Sequence, residues 1–84
     1  MRPVIKLYGT FRCHKTQYYK AFLEKLGLEY QFLDVETNED FAEELRGLYV
    51  NRRLNFPTVT IGQKKLRNPS DRELHKWLNK QENQ

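Results

Sequence analysis

The strongest constraint on this fold is how the apolar residues change from strand spacing to helical spacing and back along the first half of the chain. Residues 3–8 are β-branched and mostly apolar, which predicts a strand buried on both faces. Residues 13–26 carry apolar side chains at helical spacing and end at Gly27, a common helix stop. Residues 29–35 return to strand character. A strand-helix-strand unit requires a parallel pair of strands with a right-handed crossover.

The second half of the chain predicts a helix, a hairpin and a last helix. Residues 37–40 resemble a capping box, in which the Thr37 hydroxyl and the Asp40 carboxylate satisfy free amide donors, and Phe41 begins the apolar stripe of the second helix. Strand 58–61 leads to the Gly-Gln pair at 62–63, which fits a two-residue hairpin turn. The returning strand 64–66 is short and charged, as suits an exposed sheet edge, and residues 70–73 form a second capping box.

The predicted fold is therefore α/β, with the order β-α-β-α-β-β-α, a mixed four-stranded sheet and helices on both of its faces. We expect one domain over residues 1–84, with a core at about 3–79 and a frayed polar tail at 80–84. In open α/β sheets, sites gather beyond the carboxyl ends of strands. That point is residues 9–13 here, and it contains the only cysteine.

Composition and charge restrict the function classes. A single cysteine excludes an intrachain disulfide, suits a reducing compartment and predicts a cytoplasmic protein. No apolar run approaches the roughly 18 residues of a membrane span, so we expect no membrane association. Six of the eleven acidic residues lie in residues 34–44, whereas all fifteen basic residues lie outside that segment. The basic remainder would attract an anionic ligand or an acidic partner.

Nucleic-acid binding is a minor hypothesis, because a pI of about 9.3 is accompanied by no recognised nucleic-acid motif. The basic side chains that support it follow the second helix or line the hairpin: Arg46, Arg52, Arg53, Lys64, Lys65 and Arg67.

Cys13 is the candidate nucleophile. A lone cysteine is usually a small, buried and inert side chain. Cys13, however, lies between Arg12 and the His14-Lys15 pair, at the predicted first turn of a helix. Free amide donors, the helix dipole and neighbouring cations all stabilise a thiolate there, and such cysteines reach pKa values of roughly 3.5 to 7.5. This placement favours a reactive cysteine over a structural one.

The Cys-His-Lys-Thr motif at residues 13–16, the Phe-Pro-Thr motif at 56–58 and the order of elements together resemble glutaredoxins and related small redoxins with a thioredoxin fold. The resemblance spans about residues 4–78. It implies that Cys13 opens a disulfide or takes glutathione from a mixed disulfide. It also implies that Pro57 is a cis-proline beside the thiol and that the backbone of Phe56 pairs with an extended substrate. The implied partners are glutathione and a thiol or mixed-disulfide substrate protein.

The sequence departs from the family pattern at the position of the second cysteine, which is Thr16 here. Turnover must then be monothiol, with glutathione or another external thiol as the resolving partner. The Thr16 hydroxyl either donates to the Cys13 thiolate or bonds the backbone, and the sequence leaves both open. The Gly-Phe-Ser continuation of cluster-binding members is absent, which lowers the expectation of an iron–sulfur cluster. One cysteine and two separated histidines do not make a zinc spacing, so we expect no metal.

Only some of the positions that bind glutathione in the family are matched in this sequence. The family's lysine three residues before the cysteine is Thr10 here, and Arg12 is the candidate to replace its charge. Arg53 matches the basic position that holds the glycyl carboxylate. The family's Gly-Gly segment is missing, Pro69 removes a backbone donor nearby, and Asp71 is left either as a ligand for the γ-glutamyl end or as part of a helix cap.

Two functions follow from these observations. The first is a monothiol thiol–disulfide oxidoreductase in which Cys13, Thr16 and Pro57 are catalytic, and Arg12, Arg53, Phe56 and Asp71 bind substrate or glutathione. The alternative is a thioredoxin-fold module that binds a protein partner without catalysis. The reactivity of the Cys13 thiol distinguishes the two.

Overall fold

The computed structural model describes residues 4–82 and confirms the predicted order of elements. Pro3, where the first strand was expected to begin, lies outside the described residues. None of the described helices is long and apolar enough to cross a bilayer. In chain order the elements are β1 (Ile5–Gly9), α1 (His14–Lys25), β2 (Gln31–Asp34), α2 (Glu39–Gly47), β3 (Thr58–Ile61), β4 (Lys64–Arg67) and α3 (Asp71–Glu82).

The four strands form one mixed sheet in the order β2-β1-β3-β4. β1 pairs with β2 in parallel, with Gly9 opposite Asp34, as the strand-helix-strand unit predicts. β1 pairs with β3 antiparallel, with Tyr8 opposite Thr58, and β3 pairs antiparallel with β4. The carboxyl end of β1 and the start of β3 therefore lie at the same edge of the sheet.

Apolar side chains cover both faces of the sheet, because successive residues of a strand point to opposite sides. Leu7 of β1 packs on the face covered by α1 and α3, whereas Tyr8 packs on the face covered by α2. The α1–α3 core contains Ile5, Leu7, Tyr19, Leu23, Val59, Ile61, Leu66, Leu74 and Leu78. The α2 core is smaller and contains Tyr8, Leu33, Val35, Ala42 and Leu45. The prediction of helices on both faces is confirmed.

Two predicted local signals appear as expected. Gly62 has a φ of 61°, which suits the first central position of a two-residue hairpin turn. At the start of α3, the Ser70 hydroxyl accepts the Glu73 amide at 3.2 Å, and the Glu73 carboxylate accepts the Ser70 amide at 3.2 Å. This reciprocal pair is a complete capping box.

The predicted cap of α2 is wrong by one residue. Asn38, not Thr37, is the N-cap, and its side-chain oxygen accepts the amides of Asp40 at 2.9 Å and Phe41 at 3.3 Å. The reason is a turn at the end of β2, where the Asp34 carboxylate accepts the Thr37 amide at 3.2 Å. That bond places Thr37 inside the turn, one residue before the cap.

At the other end of the chain, α3 includes the residues expected to fray as far as Glu82. The remainder of the expected tail, residues 83–84, lies outside the described residues.

Candidate active site

Cys13 follows β1 through a closed turn and is the N-cap of α1. Its amide donates to the Thr10 carbonyl at 3.2 Å, and its carbonyl accepts the amide of Gln17 at 3.1 Å. The Gln17 side chain reaches back to the Phe11 carbonyl at 2.7 Å and holds the turn from the helix side. The thiol is partly exposed. The turn thus presents the cysteine at the start of the helix, where amide donors are free.

The surroundings of Cys13 favour its ionised form. The neutral thiol makes no capping hydrogen bond. Burial raises the pKa of the thiol, but hydrogen bonds from the Thr16 hydroxyl and from the Thr16 and Lys15 amides to the ionised sulfur outweigh it. With the Lys15 ammonium, they leave the pKa of Cys13 below its ordinary value. A larger fraction of this thiol is therefore nucleophilic near neutral pH than of an unperturbed one.

Thr16 is completely buried, and its hydroxyl lies within hydrogen-bonding reach of the Cys13 sulfur. Its oxygen accepts the Thr10 amide at 3.3 Å, so its hydroxyl proton remains available for donation to Cys13. The two roles that the sequence left open are therefore compatible, since the hydroxyl accepts from the backbone and donates to sulfur.

The close approach of Thr16 to β1 requires a glycine. A Cβ on Gly9 would lie 2.3 Å from the Thr16 hydroxyl oxygen and 2.7 Å from its methyl carbon. Sequence reasoning gave Gly9 no role in the site, because only the packing of α1 against β1 reveals the contact.

The Phe56–Pro57 peptide bond is cis, as the resemblance implies. Pro57 is buried, and the strand register places it beside the end of β1. Its carbonyl accepts the Asn68 amide at 2.9 Å, and the next residue, Thr58, bonds the Tyr49 hydroxyl at 2.9 Å. These contacts hold the segment before β3 at the same edge of the sheet as Cys13.

Arg12, the candidate to replace the charge of the family's lysine, is paired with a carboxylate that the sequence did not indicate. Its guanidinium makes a two-point ion pair with Glu36, in which Nε and Oε1 are 3.1 Å apart. The hydrogen bond with Glu36 raises the pKa of Arg12. The cation that lowers the pKa of Cys13 is Lys15. Sequence reasoning missed Glu36 because this contact depends on where β1 and β2 end.

Arg53 and Asp71, the residues expected to bind the two ends of glutathione, differ in whether another side chain already contacts them. Arg53 is exposed, and among the side chains of residues 4–80 no carboxylate lies within ion-pair distance of it. Asp71 begins α3 and accepts the Tyr18 hydroxyl at 2.7 Å on both carboxylate oxygens. The Asp71 carboxylate therefore already has a donor, which the sequence did not indicate.

Two exposed aromatic residues lie close in sequence to the nucleophile and the cis-proline. Phe11 is 64% exposed and Phe56 is 40% exposed. The Lys20 ammonium lies between two rings, 4.9 Å from the centre of Phe11 and 4.7 Å from that of Phe32. Phe11 and Phe56 therefore expose apolar surface within two residues of Cys13 and Pro57 in the sequence. Among the described side chains, those of residues 4–80, no group of three His, Cys, Asp or Glu is arranged to hold a metal ion.

Comparison with known proteins agrees with this geometry. The sequence model of the glutaredoxin family matches residues 5–66, from β1 into β4. The chain belongs to the glutaredoxin family. The matched segment includes Cys13, Thr16 and the cis-proline. Members of this family are thiol–disulfide oxidoreductases that use glutathione as a co-substrate, and this supports a redox function of that general kind.

Solved structures support the same fold. A mutant of the thioredoxin-like protein BC3987 superposes with a TM-score of 0.76 and 25% identity, covering 89% of this chain and 99% of the other. The unmutated BC3987 gives 0.73 and 24%, covering 86% and 96%. A glutaredoxin from Archaeoglobus fulgidus gives 0.73 and 16% identity, covering 88% and 84%. The search of curated proteins gave no match.

Proposed function

We propose that this glutaredoxin-family protein is a monothiol thiol–disulfide oxidoreductase. The observation that carries the proposal is the combination of a Cys13 thiol with a lowered pKa and a buried threonine at the position where a resolving cysteine would stand. Because the chain has one cysteine, it cannot resolve a mixed disulfide internally. The reducing equivalents must come from an external thiol, and a reducing compartment such as the cytoplasm supplies one.

The reaction consists of two thiol–disulfide exchanges. In the first, the Cys13 thiolate attacks the glutathione sulfur of a glutathionylated substrate. The substrate disulfide breaks, its own sulfur leaves as a thiolate, and a Cys13–glutathione disulfide forms. In the second, a glutathione thiolate attacks the glutathione sulfur of that disulfide, which releases oxidised glutathione and regenerates the Cys13 thiolate. Over the two exchanges, one free glutathione is oxidised: its sulfur joins the glutathionyl sulfur taken from the substrate to form oxidised glutathione, and the substrate is released as a thiol.

The residues around the thiol have separate roles in this proposal. Thr16 stabilises the thiolate both as the nucleophile and as the leaving group of the second exchange. Pro57 and the Phe56 backbone align an extended substrate beside the sulfur. Arg53 supplies a cation for a substrate carboxylate, and its lack of an ion-pair partner among the described side chains supports that role.

The test is the reduction of a glutathionylated peptide by glutathione, coupled to glutathione reductase. We expect turnover by the native protein and none by Cys13→Ser. Thr16→Ser retains the hydroxyl and is expected to keep most of the activity. Thr16→Val has a similar shape without the hydroxyl, and its loss of activity at neutral pH should disappear at high pH, where the thiol ionises unaided. Equal background rates for native protein and Cys13→Ser contradict the proposal.

A second candidate function is a non-catalytic module that binds a protein partner. It is favoured by the Tyr18–Asp71 hydrogen bond, which occupies a carboxylate that glutathione would need, and by the exposed ring of Phe11. The alkylation rate of Cys13 distinguishes the two functions. The oxidoreductase requires a rate that rises at a lower pH than for a free cysteine, whereas a binding module does not.

A further inference from the structure

Trp77 of α3 is surrounded by three lysine ammonium groups. The Nζ atoms of Lys64, Lys80 and Lys76 lie 4.5, 4.8 and 5.8 Å from the centre of its ring. The lysines are exposed, whereas the indole is half-buried and packs against the α1–α3 core. We call these four residues the Trp77 patch. Its charges come from two elements, since Lys64 lies on β4 and the others lie on α3.

The charge of the Trp77 patch is not neutralised by the described side chains of residues 4–80. The ion pairs found there all use carboxylates of the acidic segment, at Glu36, Glu39, Glu43 and Glu44. Near the start of α3, Asp71 accepts the Tyr18 hydroxyl and Glu73 accepts the amide of the cap. Ammonium groups gathered on one ring repel one another, and a bound anion would relieve that repulsion.

The arrangement of cations suits a linear polyanion. Arg72, Lys76 and Lys80 are four residues apart on α3 and so follow one side of the helix at intervals of about 6 Å. Lys64 adds a fourth cation from β4. Proteins that bind single-stranded nucleic acid combine a row of cations with an aromatic ring on which a base stacks. An acidic peptide would use the cations but has no group that requires the indole face.

The Trp77 patch lies at the end of the sheet opposite the thiol. Lys64 pairs with Ile61 of β3, and Ile61 pairs with Ile5 at the start of β1. Cys13 follows the other end of that strand, after Gly9. A ligand on the patch therefore leaves the thiol accessible, and the two sites can be altered separately.

We propose that the Trp77 patch, together with Arg72, binds single-stranded nucleic acid through its phosphates, with a base stacked on the indole. Of the basic residues that the sequence suggested, this set contains only Lys64. Two of those, Arg46 and Arg52, are paired with Glu43 and are not free for phosphate.

The test uses the fact that Trp77 is the only tryptophan of the chain. The native protein is titrated at low salt with an oligothymidylate, while intrinsic fluorescence reports stacking on the indole. Affinity is measured in parallel by anisotropy of a labelled oligonucleotide over a range of salt. Four phosphate contacts predict a log–log salt slope of about −2.8 for a single strand. Poly-glutamate of similar length is the competing acidic polymer.

A matched pair of variants separates this site from general charge attraction. Lys64→Gln/Lys80→Gln should reduce the steepness of the salt slope by about 1.4 and weaken the quenching. The control, Lys20→Gln/Lys25→Gln, removes the same charge from α1 and should change neither the salt slope nor the quenching of Trp77. The proposal is overturned if the oligonucleotide fails to quench Trp77, if both variants weaken binding equally, or if poly-glutamate binds as tightly as the oligonucleotide. Because the measurements involve no thiol chemistry, their outcome is independent of the proposed oxidoreductase function.

Discussion

Replacement of Gly9 by alanine tests the link between packing and thiol reactivity. The added methyl group would lie 2.3 Å from the Thr16 hydroxyl oxygen and 3.0 Å from its Cβ. Thr16 cannot swing into solvent to relieve this contact, because it is completely buried on α1. Either the helix moves away from the strand or the threonine changes its rotamer. Both changes disturb the bond from the Thr10 amide, now 3.3 Å long, and the donation to Cys13.

Two effects of Gly9→Ala can be measured. Overpacking of a buried site costs about 1–3 kcal/mol, so the free energy of unfolding in urea should fall by that amount. The pKa of Cys13, measured from the pH dependence of alkylation by iodoacetamide, should rise towards the ordinary value. The reason is that the hydrogen bonds from the Thr16 hydroxyl and amide to the ionised sulfur, which lower this pKa, are weakened when the helix or the threonine moves.

The chain provides a matched control at Gly47. It is the last residue of α2, and a Cβ there would meet no atom within 4 Å. Gly47→Ala should therefore stabilise the protein by up to about 1 kcal/mol, because alanine is the better helix former, and leave the alkylation profile unchanged. A double-mutant cycle with Thr16→Ala locates the clash, since Gly9→Ala should cost less once the threonine side chain is absent. Native stability and a native Cys13 profile in Gly9→Ala would refute the reasoning.

Three further predictions concern separate parts of the molecule. The pKa of Cys13 is lower in the folded than in the unfolded protein, so ionisation of the thiol stabilises the fold. The free energy of unfolding of the native protein, relative to that of Cys13→Ser, should therefore rise between the folded pKa and the unfolded value of about 8.5, and stay constant above it. This extra stability should be lost as the pH falls through the folded pKa, and urea titrations over the pH range measure it. Asn38→Ala should cost about 1 kcal/mol in urea unfolding, whereas Thr37→Ala should have little effect. Tyr18→Phe frees the Asp71 carboxylate and should lower the KM for glutathione by about two- to tenfold without a change in Cys13 alkylation; an unchanged KM means that Asp71 does not bind glutathione.

The order of elements could be predicted because each depends on a local signal. The spacing of apolar residues changes from strand to helix near Cys13 and back to strand near residue 29. The capping box at Ser70 and the hairpin turn at Gly62 each depend on only a few neighbouring residues. The α2 cap shows the limit of such reasoning. Thr37 and Asn38 are both favoured capping residues, with Asn somewhat the better. The Asp34 carboxylate at the end of β2 binds the Thr37 amide and leaves Asn38 as the cap.

The nucleophile could also be predicted, because its setting at a helix start is local. The residues that support it were harder to find. Gly9 matters only because α1 packs on β1 so closely that the Thr16 side chain fills the space of a Gly9 Cβ, and the sequence alone does not reveal that packing. The role of Thr16 depends on the same close packing of α1 on β1. Its oxygen accepts the amide of Thr10, just after β1, while its hydroxyl proton is available for donation to Cys13.

The pairing of Arg12 with Glu36 has a physical cause in the register of the parallel strands. Gly9 pairs with Asp34, so β1 and β2 leave the sheet at the same edge and their next residues run side by side. Arg12 and Glu36 follow these strand ends by three and two residues, and their opposite charges meet there. Arg12, the cation nearest to Cys13 in the sequence, is therefore paired with Glu36 of the acidic segment. Lys15 remains as the charge that favours the thiolate, so its replacement by glutamine should raise the pKa of Cys13 more than the same replacement of Arg12.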